Sequence, residues 1–234
     1  TSTDPISPAC DAVTRALLDP PTGAASSKRA PFSFWIDGQM GLHSSNGGIG
    51  RFAVTSMGAD TLVNDRFLVG FAIEGDWVTA PTASSSTSGL GFMAGPYVSV
   101  AIDEHLALSA RLLGGKSWNS ISESQGGNTY TGDFQTSRLD VGASLSGDFT
   151  MDLLTVLPDV SFSLFSEGAG AYTISGAAGS IGLPAFNVST YELSAGSQFE
   201  YRLDQGNGVI FVPKAELNLV LDFGTAMSPF AVGN

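Results

Sequence analysis

Residues 191–223 alternate between apolar and polar positions almost without interruption. In 191–201 one parity carries Tyr191, Leu193, Ala195, Phe199 and Tyr201, and the other Glu192, Ser194, Gln198 and Glu200. After a turn at 204–208 the pattern resumes with Phe211, Ala215, Leu217, Leu219, Leu221 and Phe223 against Lys214, Glu216, Asn218 and Asp222. Side chains of a strand point to opposite faces with period two, so each segment has one apolar and one wet face. Both segments exceed ten residues, whereas soluble strands run to about five or six. Roughly 9–11 residues is the length a tilted strand needs to cross a bilayer.

The pattern recurs from Phe32 onward and predicts about nine strands, near 32–43, 50–62, 66–79, 89–103, 105–118, 133–149, 153–167, 187–203 and 208–223. Short connections are expected at 63–65, 103–105, 149–152 and 204–207. Longer, Gly/Ser-rich ones are expected at 44–49, 80–88, 119–132 and 168–186. Short turns on one side and long loops on the other mark an outer-membrane barrel. The fold expected is therefore all-β, an antiparallel up-and-down transmembrane β-barrel over 32–234. Residues 1–31 differ: five prolines punctuate them, and 11–18 could form a short helix within a tail or linker.

Composition narrows the function. Charged residues make up 14% of the 234-residue chain, against roughly 25% in soluble domains. No stretch approaches 18 consecutive apolar residues, so no transmembrane helix is expected, which leaves barrel strands open. A formal net charge of −12 argues against nucleic acid as a partner. The single cysteine, Cys10, cannot form an internal disulfide and reads as an unpaired tail residue. The first residues, lacking a basic-then-apolar leader, fit an exported product whose signal peptide has been removed.

Candidate chemistry is sparse. His43 and His105 fall near strand ends without carboxylates or cysteine at ligand spacing, and read as surface histidines. No Gly-x-Ser-x-Gly elbow accompanies a triad-like set, and the Gly-Gly pairs lack a following helix or Lys. Asn187-Val188-Ser189 matches a glycosylation acceptor by chance. No enzyme activity, metal or cofactor is expected. The polar parity instead gathers charges for a barrel lumen: Asp37, Glu74, Asp76, Arg111, Arg138, Asp140, Glu192, Glu200, Arg202, Lys214, Glu216 and Asp222. They would either line an acid-biased channel, gripping a helix or favouring cations, or fill the interior as cross-strand ion pairs. Trp35, Trp77, Trp118, Tyr191 and Tyr201 fall near strand ends, where an interfacial aromatic girdle is expected.

Several segments together resemble one family. Trp35-Ile36-Asp37-Gly38, then 58–65 and Leu68-Val69-Gly70, resemble the opening strands of the autotransporter translocator barrel. Gly95-Pro96-Tyr97-Val98 and 106–117 resemble its middle strands, and 133–138, 145–149 and 199–202 continue in order. The resemblance implies a twelve-stranded barrel of the Gram-negative outer membrane, used for protein secretion and holding a helical segment joined to a passenger. Its implied partners are outer-membrane lipid and the barrel-assembly machinery. Three strands of the twelve are not seen, so missing C-terminal residues, or an envelope protein covering the open strand edge or contacting 1–31, are expected. The function expected is a non-enzymatic translocation pore or surface anchor. The alternatives are a barrel-derived structural subunit of an envelope assembly and a soluble all-β surface binding module.

Overall fold

A computed structural model describes residues 32–45, 48–204, 206 and 209–225. The helix expected at 11–18, Cys10 and the side chain of His43 lie outside the described residues. The strands are β1 (Ser33–Ser45), β2 (Gly48–Asn64), β3 (Phe67–Pro81), β4 (Ser85–Ala101), β5 (Leu106–Gln125), β6 (Asn128–Gly147), β7 (Phe149–Met151), β8 (Leu154–Ala169), β9 (Tyr172–Gly176), β10 (Gly179–Leu183), β11 (Phe186–Tyr201), β12 (Leu203–Asp204), β13 (Ile210–Phe211) and β14 (Lys214–Thr225). The long strands pair antiparallel in the order β1-β2-β3-β4-β5-β6-β8-β11-β14, so neighbours in sequence are neighbours in space. β1 and β14 stand at the edges, and the sheet is not closed among the described residues.

All nine expected strands are present, and several run further than their composition suggests. β5 and β6 have 20 residues each and continue through most of 119–132, expected as a long loop. Their turn is Gly126-Gly127, both at positive φ (59° and 80°), which suits a two-residue hairpin turn of the primed type. Likewise 80–88 contracts to a turn between β3 and β4, and 168–186 carries the β9–β10 hairpin, whose β9 pairs with the end of β6. The expected contrast of loop lengths is therefore largely a contrast of strand extensions.

The distribution of residues is inverted relative to a water-soluble protein. One face exposes Phe34, Ile36, Met40, Phe71, Leu112 and Leu217, with Met40 85% and Leu112 50% exposed. The buried set includes Ser56, Asp60, Glu74, Ser99, Ser117 and Thr136 on the opposite face. A continuous exposed apolar surface of this breadth requires an apolar surrounding. The polar face is the concave one, because side chains from strands that are not neighbours meet on it: Phe165 of β8 packs on a cluster of Leu68, Ala72, Met93, Tyr97 and Leu113 from β3, β4 and β5.

Candidate functional site

The concave face holds two ordered polar groups. Arg138 of β6 is the centre of the first. Its Nη1 donates to Asp76 Oδ2 of β3 at 2.6 Å and its Nε to Glu167 Oε1 of β8 at 3.0 Å. Thr136 and Ser117 hydroxyls also donate to Glu167 Oε1, at 2.5 and 3.2 Å, and Asn119 Nδ2 donates to Ser117 Oγ at 2.6 Å. The guanidinium lies 6.0 Å from the Phe165 ring centroid. Beside it, Arg111 Nε donates to Asp140 Oδ1 at 2.8 Å. The second group is a relay. Trp35 Nε1 donates to Tyr97 Oη at 2.7 Å, and Tyr97 Oη donates to Asp60 Oδ2 at 2.6 Å.

The bridges that span intervening strands, Trp35–Tyr97, Tyr97–Asp60 and Arg138–Asp76, do so with glycines beneath the side chains. Trp35 lies over Gly58, Tyr97 over Gly70, Arg111 over Gly142, and the Arg138–Asp76 pair over Gly91. A Cβ at Gly70 would overlap the Tyr97 ring, and one at Gly91 would overlap both members of the ion pair. Large inward side chains are thus laid along the wall instead of projecting from it. Replacing Gly70 by Val is expected to force the Tyr97 ring off the wall and cost about 1–3 kcal/mol. Heat-modifiable migration and denaturant midpoints of the variant against the unmodified chain would check this.

Register places the expected polar residues. Asp37, Glu74, Asp76, Arg111, Arg138, Asp140, Glu192, Glu200, Lys214, Glu216 and Asp222 all share the concave face. Lys214 Nζ is 2.7 Å from Glu200 Oε1, and Asn218 donates to Glu216 at 2.7 Å. Arg202 is different. It falls beyond the last paired residue of β11, exposed at the short-turn end, with its amide bonded to Leu153 O. Tyr97, Asp60, Glu167, Thr136 and Ser117 were not singled out from sequence. Their signal was parity: each falls on the wet face of its strand.

Of the expected girdle, Trp77, Trp118, Tyr191 and Tyr201 are on the convex face, each between 41 and 50% exposed. Trp35 is not. It shares the parity of Asp37, and its ring sits edge-on to Tyr97 at 6.1 Å, because Gly58 leaves room for it on the concave side. His105 is a turn residue at the short-connection end. Its Nδ1 is 2.9 Å from Asp148 O and its ring stacks on Phe149 at 5.4 Å.

The convex apolar band has a limit that can be followed from strand to strand. On β3 the last large apolar residue is Trp77, followed outward-facing by Thr79 and Pro81. Its register row runs through Leu90 to Trp118 on β5. On β11 the limit is Tyr191, beyond which stand Ser189 and Asn187; its row runs back through Leu164 and Val141 to Leu112 on β5. Trp118 and Leu112 are six residues apart, so the limit descends six residues over the five strand steps from β3 to β11. With about 3.4 Å per residue and about 4.8 Å between strands, the strands incline by about 40° to the boundary, the tilt of bilayer-spanning barrels.

Past this limit the alternation reverses phase. On β5, β6, β9 and β11 the apolar residues now point inward: Ile121, Phe134, Tyr172, Ile174 and Phe186. Phe134 stacks on Tyr172 at 4.5 Å, and burial raises the Tyr172 phenol pKa above its ordinary value. Ser120, Thr131, Asp133, Ser175 and Ser180 face outward, with Ser120 Oγ donating to Asp133 at 2.5 Å. That is the pattern of a sheet in water, so the phase change marks where the apolar surrounding ends.

Comparison with known proteins agrees with this geometry. No curated protein sequence matches the chain. Among solved structures it is similar to the β-domain of the Bordetella autotransporter BrkA, with TM-score 0.65 and 16% identity over 84% of this chain and 80% of that one. It is also similar to the translocator domain of autotransporter NalP from Neisseria meningitidis, with TM-score 0.66 and 13% identity over 91% and 74%. At these identities the likeness is one of fold. The model of the family described as Autotransporter beta-domain matches residues 34–230. With most of its length matched, the chain belongs to the autotransporter β-domain family, the outer-membrane translocator barrels.

Proposed function

We propose that the protein is a non-enzymatic translocation pore and surface anchor of the bacterial outer membrane, its concave face lining a lumen. The observation that carries this reading is the flat wall: the largest inward side chains are held against the strands by ion pairs and glycines, which keeps the bore open. Within lipid the outer edges of β1 and β14 need hydrogen-bonding neighbours, supplied in this reading by further strands of one closed barrel. Barrel-assembly machinery is the partner such a fold calls for.

The wall is acid-biased. Among the described residues of the concave face, Arg111, Arg138 and Lys214 are the bases, against acids on β1, β2, β3, β6, β8, β11 and β14. Glu192 and Asp222 stand directly opposite one another with no ion pair of their own among the described residues. Like charges so placed hold counter-cations near them. Reconstituted in planar bilayers, the full chain is expected to conduct with a preference for cations. Neutralising Glu192→Gln together with Asp222→Asn is expected to move the reversal potential toward zero under a salt gradient. Absence of any conductance from a heat-modifiable, inserted protein would sink the pore reading.

A further inference from the structure

The described strands turn two basic side chains outward, Arg51 on β2 and Lys116 on β5, and both are exposed. Their heights can be compared through the register. The row of Arg51 runs through Thr79 and Ser88 to Ser120 on β5. Ser120 lies four residues beyond Lys116, a drift of four residues over three strand steps. The apolar limit drifts at nearly the same rate, six residues over five steps. Arg51 and Lys116 therefore lie at one depth along that inclined limit, about 20 Å apart, three strand spacings across and four residues along. Neither forms an ion pair among the described residues, whereas the inward Arg111 and Arg138 are both paired with acids.

A cation facing lipid costs roughly 2–4 kcal/mol at midplane but about 0–1 kcal/mol near the interface, where headgroups can take it. Both cations lie at the end bearing the strand extensions, which in such barrels is the cell exterior. Past Trp118 the convex face changes to polar residues, with Ser88, Ser120, Ser122, Thr131 and Gln135 and one acid, Asp133, whose carboxylate accepts from Ser120. We propose that Arg51 and Lys116 form a docking surface for the phosphate-bearing glycolipid of the outer leaflet. The two cations take the phosphates, and the hydroxyl band beyond them takes the saccharide, whose hydroxyls both donate and accept.

This inference rests on the membrane reading above, so the test separates the two. The full chain is inserted into phosphatidylcholine vesicles doped with either a bis-phosphorylated glycolipid or its dephosphorylated form. Flotation and heat-modifiable migration report insertion in each sample, and a wild-type chain that fails to insert counts against the membrane reading. With insertion intact, retention of the phosphorylated glycolipid is expected to fall about fivefold for each of Arg51→Gln and Lys116→Gln, the factor equivalent to about 1 kcal/mol per basic residue. Arg51→Lys is expected to retain binding. Wild-type retention is also expected to weaken as salt rises, a readout independent of how the variants fold. Equal retention by the double variant, equal retention of the dephosphorylated lipid, or salt-independent binding would overturn the proposal.

Discussion

Replacing Arg138 by Met is expected to destabilise the folded barrel by about 3 kcal/mol, near the lower end of what breaking a buried ion pair costs. The Arg138 side chain is 9% exposed, and its two carboxylate partners, Asp76 and Glu167, are 16 and 23% exposed. Removing the guanidinium leaves two carboxylates on the same wall with hydroxyl donors as their remaining help. Their mutual repulsion then adds to the lost attraction. The loss should therefore be recovered in large part when Asp76→Asn and Glu167→Gln are added to Arg138→Met, since a neutral trio leaves no charge uncompensated. Urea midpoints of the single and triple variants in the same detergent would measure it. A single variant as stable as wild type would show that the network fills space without contributing to stability.

The second large effect is expected at Leu112. It is half exposed on the convex face, in the same row as Tyr191 and well below the Trp118 limit on its own strand. Arg at this position faces hydrocarbon and should cost roughly 2–4 kcal/mol in a bilayer. Ser122→Arg, ten residues further along β5 and past the phase change, should cost almost nothing. In a soluble all-β module the order would reverse, because exchanging an exposed Leu for Arg removes an apolar patch from water. Folding free energies in vesicles for the two variants discriminate the cases by sign as well as size.

The nine strands were legible because alternation is a local property, and each strand's wet face could be assigned without its neighbours. Strand ends were harder. The stretch 119–132 reads as a loop since it is rich in Ser and Gly and its apolar phase shifts between Trp118 and Ile121. In the structure that shift is a change of surroundings within one continuous strand. Trp35 was misplaced for a related reason. Its nearness to a strand end suggested an interface, although its parity with Asp37 already pointed inward. The relay from Trp35 through Tyr97 to Asp60, and the role of Glu167, depend on which strands curl toward one another and on glycines of the neighbouring strands, Gly58 and Gly70. No single segment carries that information.

The convex surface draws only every second residue from each strand, and this shapes the life of the chain before it folds. Read along the backbone, greasy and wet residues dilute each other, and no helix among the described residues is long and apolar enough to cross a membrane. Within the described residues, an export channel that tests each passing segment for lipid solubility therefore meets nothing that it would release sideways into the inner membrane. The hydrophobic surface does not exist until strands pair and the alternate residues line up across them. Destination is thus encoded in assembly: the polypeptide is a transit passenger through the first membrane and a resident of the second.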